Sequence, residues 1–171
     1  MLGFSCLMAM GRPESDAHQK FMRMAIALAE RNVKKGLGGP FGAVIVKDGI
    51  IVAKSANKVA LSNDPTAHAE ISAIRLASKK LDNFDLSNCV IYTSCEPCPM
   101  CLGAIYWSRI SKIYYANTKH DAARIGFDDK FIYDELDQPV ENRQLPVVQL
   151  LRDEALHSFK IWQQSESKIE Y

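Results

Sequence analysis

Residues 89–107 read CVIYTSCEPCPMCLGAIYW. Cys89 to Ser94 has the composition of a buried strand. Pro97 then opens a helix that runs to about Trp107, since proline is tolerated at a helix start and not in its interior. Cys98 and Cys101 are three apart and share one face of the first turn. Unpaired N–H groups and the positive end of the helix dipole favour thiolate over thiol there. A strand feeding directly into a helix with two thiolates at its mouth sets an α/β framework with half of a metal site on it.

Working outward, the N-terminal side holds a helix capped by Asp16 and running to about Lys35, with Phe21, Ala25, Leu28, Ala29 and Val33 as its apolar face. Gly36, Gly38, Gly39 and Pro40 break it. Phe41–Lys47 and Ile50–Ala56 are β-rich runs around Asp48-Gly49, a hairpin signal. A polar stretch from Asn57 to Pro65 leads into a helix from about Ala67 to Lys80. On the other side, Lys112–Ala116 is a fourth strand, followed by a loop over 117–129 and a short helix near Lys130–Leu136. An extended run at Pro146–Leu151 and a helical segment at about His157–Gln164 end the chain. A hairpin followed by β-α-β-α-β predicts a mixed sheet with helices on both faces.

At 171 residues, with 47% hydrophobic and 24% charged residues, the chain is sized and composed for one globular domain, which excludes disorder and fibrous repeats. A net charge of +1 gives no general reason to expect nucleic acid or an anionic membrane as partner. The longest uncharged apolar stretches, Met1–Gly11 and Pro97–Ser108, fall short of the roughly 18 to 20 residues of a spanning helix. MLGFSCLMAMG lacks the basic start and the length of a signal peptide. Residues 1–15 are therefore expected to be a flexible leader, with Met8 or Met10 as alternative starts, ahead of a single domain over 16–171, and the location is expected to be cytoplasmic. Five cysteines, at 6, 89, 95, 98 and 101, are odd in number and crowded, a poor disulfide framework and a better metal site.

The other half of that site is His68-Ala69-Glu70. Two thiolates and one imidazole, His68 with Cys98 and Cys101, give Zn2+ three protein ligands and leave the fourth position to water or hydroxide. Water so held becomes a nucleophile near neutral pH. Glu70 is then best used as the proton carrier rather than as a ligand. Positions i and i+2 do not share a face of a regular helix, so His68 is expected at the irregular N-terminal edge. Cys95 makes a second C-x-x-C with Cys98, and His68 with all three cysteines would be a closed structural site. Cys95 ends a strand, however, and its side chain need not follow the helical pair.

At these residues the chain resembles the cytidine deaminase superfamily, and specifically the bacterial guanine deaminases. The H-x-E and P-C-x-x-C pieces are specific to the superfamily. GGPFGAVIVKDG at 38–49, SNDPTAHAE at 62–70, YTSCEPCPMCLGAIYW at 92–107, GFDDKFIY at 126–133 and the terminal Glu170-Tyr171 carry the closer likeness. The resemblance implies a three-layer α/β/α fold around a five-stranded mixed sheet, one zinc per subunit, and hydrolytic deamination of guanine to xanthine and ammonia. It implies that His68, Cys98 and Cys101 hold zinc and that Glu70 shuttles protons. It further implies that Asn57, Phe41, Trp107 and Ala69 contact the base, that Asp129 accepts from its amino and N1–H edge, and that Tyr171 closes the site of a partner. Homodimers with exchanged C-terminal segments, here about 140–171, are implied as well.

Read from the residues alone, Phe41 and Trp107 also suit plain core packing, Asn57 suits a turn, and either Asp128 or Asp129 suits a helix cap. Two other functions share the zinc motif. A tRNA adenosine deaminase needs a basic surface, whereas residues 130–171 carry five Lys and Arg against eight Asp and Glu. A non-catalytic zinc-stabilised binding module has no use for Glu70. Guanosine and other nucleobases are closer competitors, since a pocket changes preference through a few side chains.

Overall fold

The computed structural model describes residues 13–170. Its helices are α1 (Pro13–Lys34), α2 (Val59–Ser62), α3 (Ala69–Leu81), α4 (Pro99–Trp107), α5 (Lys119–Arg124), α6 (Lys130–Leu136) and α7 (Arg152–Gln164), with a 3-10 turn at Val140–Asn142. Its strands are β1 (Gly42–Lys47), β2 (Ile50–Ala56), β3 (Cys89–Cys95) and β4 (Lys112–Asn117). The leader as far as residue 12, the alternative starts Met8 and Met10, and Tyr171 lie outside the described residues.

The strand order is β2-β1-β3-β4. β1 runs antiparallel to β2 and β3, and β3 runs parallel to β4. At the hairpin, Asp48 and Gly49 both have positive φ, 50° and 75°, as the tight turn joining twisted strands requires. Alternation along β1 sorts its side chains to two faces. Val44 and Val46 pack with Phe21 and Ala25 of α1 and with Tyr92, while Ala43 and Ile45 pack with Ala69, Ala73 and Ala77 of α3, Ile91, and Ile105 of α4. Helices therefore cover both faces, giving the expected α/β/α layering. At Gly42 the helix comes so close that a Cβ would stand 2.3 Å from the Ala25 carbonyl oxygen.

The sheet departs from expectation in strand number: among the described residues it has four strands, not five. Residues 146–151 have strand-like composition, but they come alongside neither β2 nor β4, and a strand without a neighbour has no ladder to join. Val148 is 81% exposed there. The loop expected over 117–129 contains α5, whose start is fixed by a capping box: Thr118 Oγ1 accepts from Asp121 N at 3.2 Å, and Asp121 Oδ2 accepts from Thr118 N at 2.8 Å. On α1 the expected inward residue Val33 is exposed, and Asn32 is buried instead.

Candidate active site

α3 and α4 both bring their N-termini to one point. His68 is the N-cap of α3 and Cys98 the N-cap of α4, each extended, with φ/ψ of −62°/160° and −65°/168°. Neither side chain makes a capping hydrogen bond, so both remain available for another partner. α4 begins at Pro99, two residues later than expected, which makes Cys101 the third residue of its first turn. His68 Nδ1 lies 3.6 Å from Cys98 Sγ and 3.5 Å from Cys101 Sγ. A zinc ion bonded to sulfur at ~2.3 Å and to nitrogen at ~2.0–2.1 Å in tetrahedral geometry separates such atoms by ~3.6 Å. The donor set and its spacing fit that ion. Among the described residues, this is the one cluster of three or more His, Cys, Asp or Glu side chains arranged to hold a metal.

Hydrogen bonds from Cys101 and His68 hold the Cys98 thiol far below the usual thiol range, while the bond to Cys98, with burial, pushes Cys101 up. The bond to Cys98 raises His68. Metal binding displaces such protons. Cys95 stands apart: its thiol donates to the Thr118 carbonyl at 3.6 Å, and burial pushes it up to about 11. It is not part of the cluster, so the closed four-ligand site does not form. Glu70, 6% exposed, sits beside the cluster and accepts from the Cys101 thiol at 3.5 Å. Burial raises its carboxyl above the ordinary range, the usual environment of a proton-transfer group.

A cavity of about 480 Å3 opens over these residues, with Phe41, Asn57, His68, Glu70, Cys98 and Asp129 on its wall. Asn57 is buried, and its Oδ1 accepts from Val59 N at 3.3 Å. Asp128 Oδ1 accepts from Lys130 N at 2.9 Å, whereas Asp129, the N-cap of α6, makes no side-chain cap bond. The turn-forming work therefore falls to Asp128. Burial, followed by the negative charge of Cys98, raises the Asp129 carboxyl.

Two of the residues expected at the base do not line this cavity within the chain. Trp107 is 69% exposed and faces a separate groove with Ile71, Ile74, Phe84, Trp162 and Ile169. It ends the helix that Cys98 begins, and a helix of that length carries it roughly 12 Å away. Ala69, the first residue of α3, turns its methyl into the core with Ala73 and Ile105.

The sequence profile of the cytidine and deoxycytidylate deaminase zinc-binding region matches residues 15–117. The chain belongs to this deaminase family. It is 54% identical to a guanine deaminase of Bacillus subtilis (strain 168) over 154 residues, 90% of this chain and 99% of that one. The crystal structure of the Bacillus subtilis guanine deaminase superposes with a TM-score of 0.88, covering 90% of this chain and 98% of the other. A tRNA-specific adenosine deaminase of Aquifex aeolicus (strain VF5) is 37% identical over 73% of this chain and 80% of its own length. Membership in the deaminase family makes zinc the cofactor of this fold, and the His68, Cys98 and Cys101 cluster lies within the matched region.

Three further residues on the wall of this deaminase's cavity escape a reading of the sequence. Phe127 packs edge-on against Phe41, with ring centroids 4.9 Å apart. It belongs to the GFDD stretch, where a lone phenylalanine between glycine and aspartate carries no pattern of its own. Glu96 Oε2 accepts from Lys119 N at 3.0 Å, and Glu96 N donates to the Asn117 carbonyl at 2.8 Å. Together they tie the ends of β3 and β4 at the cavity rim. Loop residues of this kind have no periodicity that would single them out.

Proposed function

We propose that the chain hydrolyses guanine to xanthine and ammonia. The observation that carries the reading is its 54% identity over 99% of the length of a guanine deaminase. When bound, zinc supplies activation of water at neutral pH. His68, Cys98 and Cys101 would hold it. Glu70 takes one proton from the water and gives it to the ring nitrogen beside C2, then takes the second from the hydroxyl now on C2 and gives it to the amine, which leaves as ammonia while the C2 carbonyl forms. Asp129 accepts hydrogen bonds from the amino and N1–H edge, Asn57 hydrogen-bonds the purine, and Phe41 packs on its ring. Exclusion of water by these walls strengthens each of those contacts.

The reading includes one cytoplasmic domain from residue 16 onward that pairs as a homodimer, with segments of about 140–171 exchanged and Tyr171 closing the partner's cavity. The exposed apolar side chains of Val148, Leu150, Phe159 and Ile161, and of Trp107 across the groove, support it. Among the described residues no strand lies beyond β4, which leaves an edge for another chain to add to.

The test is ammonia release by zinc-loaded protein from guanine, guanosine, adenine, cytosine, cytidine and single-stranded RNA. Turnover of guanine alone is expected. A preference for guanosine would overturn the view of a sealed pocket, and turnover of RNA adenosine would replace the substrate altogether. Removal of Tyr171 is expected to lower kcat/KM, and unchanged kinetics would take the C-terminus out of the site.

A further inference from the structure

We propose that Asn32 positions two of the three residues proposed to contact the base, Phe41 and Asn57; this assignment rests on the guanine reading above. Asn32 lies in the last turn of α1, a helix that contributes no residue to the cavity wall. It is 5% exposed. Its Nδ2 donates both hydrogens, one to the Gly39 carbonyl and one to the Asn57 carbonyl, each at 2.9 Å.

Those two carbonyls belong to the segments that carry the base contacts. The Gly39 carbonyl also accepts from Phe41 N at 2.9 Å, and Asn57 N donates to the Phe41 carbonyl at 3.0 Å. The four residues thus form a closed circuit: Asn32 holds Gly39 and Asn57, Gly39 holds Phe41, and Phe41 holds Asn57. The chain passes this circuit with no room to spare. A Cβ at Gly38 would meet Asn57 O at 3.0 Å and Asn32 Nδ2 at 3.1 Å. One at Gly39 would meet the Phe41 ring at 3.2 Å and Phe127 Cζ at 3.4 Å. A small shift of either carbonyl is therefore passed on to Phe41, Phe127 and Asn57, the aromatic and amide side of the cavity. His68 and Cys98 stand on other elements and are not part of the circuit.

A buried amide needs acceptors wherever it lies. What marks this one is that it spends both hydrogens on the two wall segments. Replacing it with a carboxylate of the same shape turns two donors into lone pairs facing two carbonyls, with no change in volume.

The experiment compares wild type, Asn32→Asp and Asn32→Ser as full-length zinc-loaded protein, with Phe21→Leu as a control. Phe21 packs on the α1 face of the sheet and touches neither cavity nor cluster. For Asn32→Asp, KM for guanine is expected to rise about 10- to 100-fold, with kcat within about threefold of wild type and zinc content unchanged. Asn32→Ser, with one donor left, is expected to fall between the two and carries the test if the aspartate variant does not fold. Phe21→Leu is expected to lower Tm and leave KM in place. An unmoved KM in both Asn32 variants, or a KM that rises equally in Phe21→Leu, removes the positioning role while leaving the guanine reading intact. A wild type inactive on guanine overturns the substrate, and this role with it.

Discussion

Between Gly38 and Asp129 the chain buries its chemistry in its own layers, with Cys101 fully enclosed and Glu70 nearly so, whereas beyond Asp137 it leaves large apolar side chains in solvent, Leu150 at 78% exposed among them. The first region is set by strands that end where two helices begin, so His68 and Cys98 inherit their positions from the sheet. The second has helix and apolar content, and apart from the groove that Trp162 and Ile169 share with Trp107, its large apolar side chains, Val148, Leu150 and Phe159 among them, stay exposed. The donor cluster and the carboxylate proposed as proton carrier are complete in one copy, while the second copy proposed above would add to the outer wall.

The comparison breaks first at the cluster. Cys101→Ser is expected to lose zinc and at least about 10⁴-fold in kcat/KM, while Cys95→Ser keeps both; metal analysis of the two purified variants decides it, and zinc loss in Cys95→Ser would bring the closed site back. Glu70→Gln keeps the donors and removes the carboxylate, so metal content should hold while kcat falls about 10²- to 10⁴-fold. Wild-type turnover there would leave Glu70 without a role in proton transfer.

Asp129→Asn should lower kcat/KM for guanine by about 10- to 100-fold through loss of a charged acceptor, with Asp128→Asn much closer to wild type. Equal effects would mean that the loop, not one carboxylate, reads the base. On the other side of the comparison, Leu150→Asp with Phe159→Asp should weaken self-association about tenfold or more in sedimentation and leave metal content alone. A monomeric wild type, or an unaffected dimer, would show that the exposed segment is not what pairs the chains.

The smallest effect is at Asp64, whose Oδ1 accepts from Thr66 N at 2.8 Å and from Thr66 Oγ1 at 2.6 Å just ahead of His68. Those bonds hold its carboxyl below the ordinary 3.8. A lowered folded value contributes stability above the ordinary value that is lost as pH falls through the folded one. Asp64→Ala should therefore melt slightly below wild type at pH 7, with the gap closing in acid. A gap that persists at low pH would tie the loss to packing rather than to charge.

The strand pattern made much of the first region legible, because Asp48-Gly49, alternation in β1 and the two cysteine–histidine pieces are local signals. The rest depends on distance. Phe41 and Asn57 meet only because β1 and β2 pair, and Asn32 reaches Gly39 and Asn57 from a helix whose period assigned the inward place to Val33. Trp107 shares a helix with Cys101, but the length of that helix carries it away from the cluster within the chain. At 146–151 the composition suits an extended run, but no strand forms there: a strand is a property of two neighbours, and composition describes only one.

The meeting of His68 with Cys98 and Cys101 also has a consequence for melting. A metal there cross-links the starts of two neighbouring helices across some thirty residues of chain, and it binds the folded arrangement in preference to the open one. Mass action then couples the unfolding equilibrium to the surrounding ion pool: above saturation, each tenfold rise in free zinc adds about 1.4 kcal/mol to the folded state. The melting temperature of this deaminase thereby becomes a gauge of free zinc, and a chelator acts on it as a denaturant does.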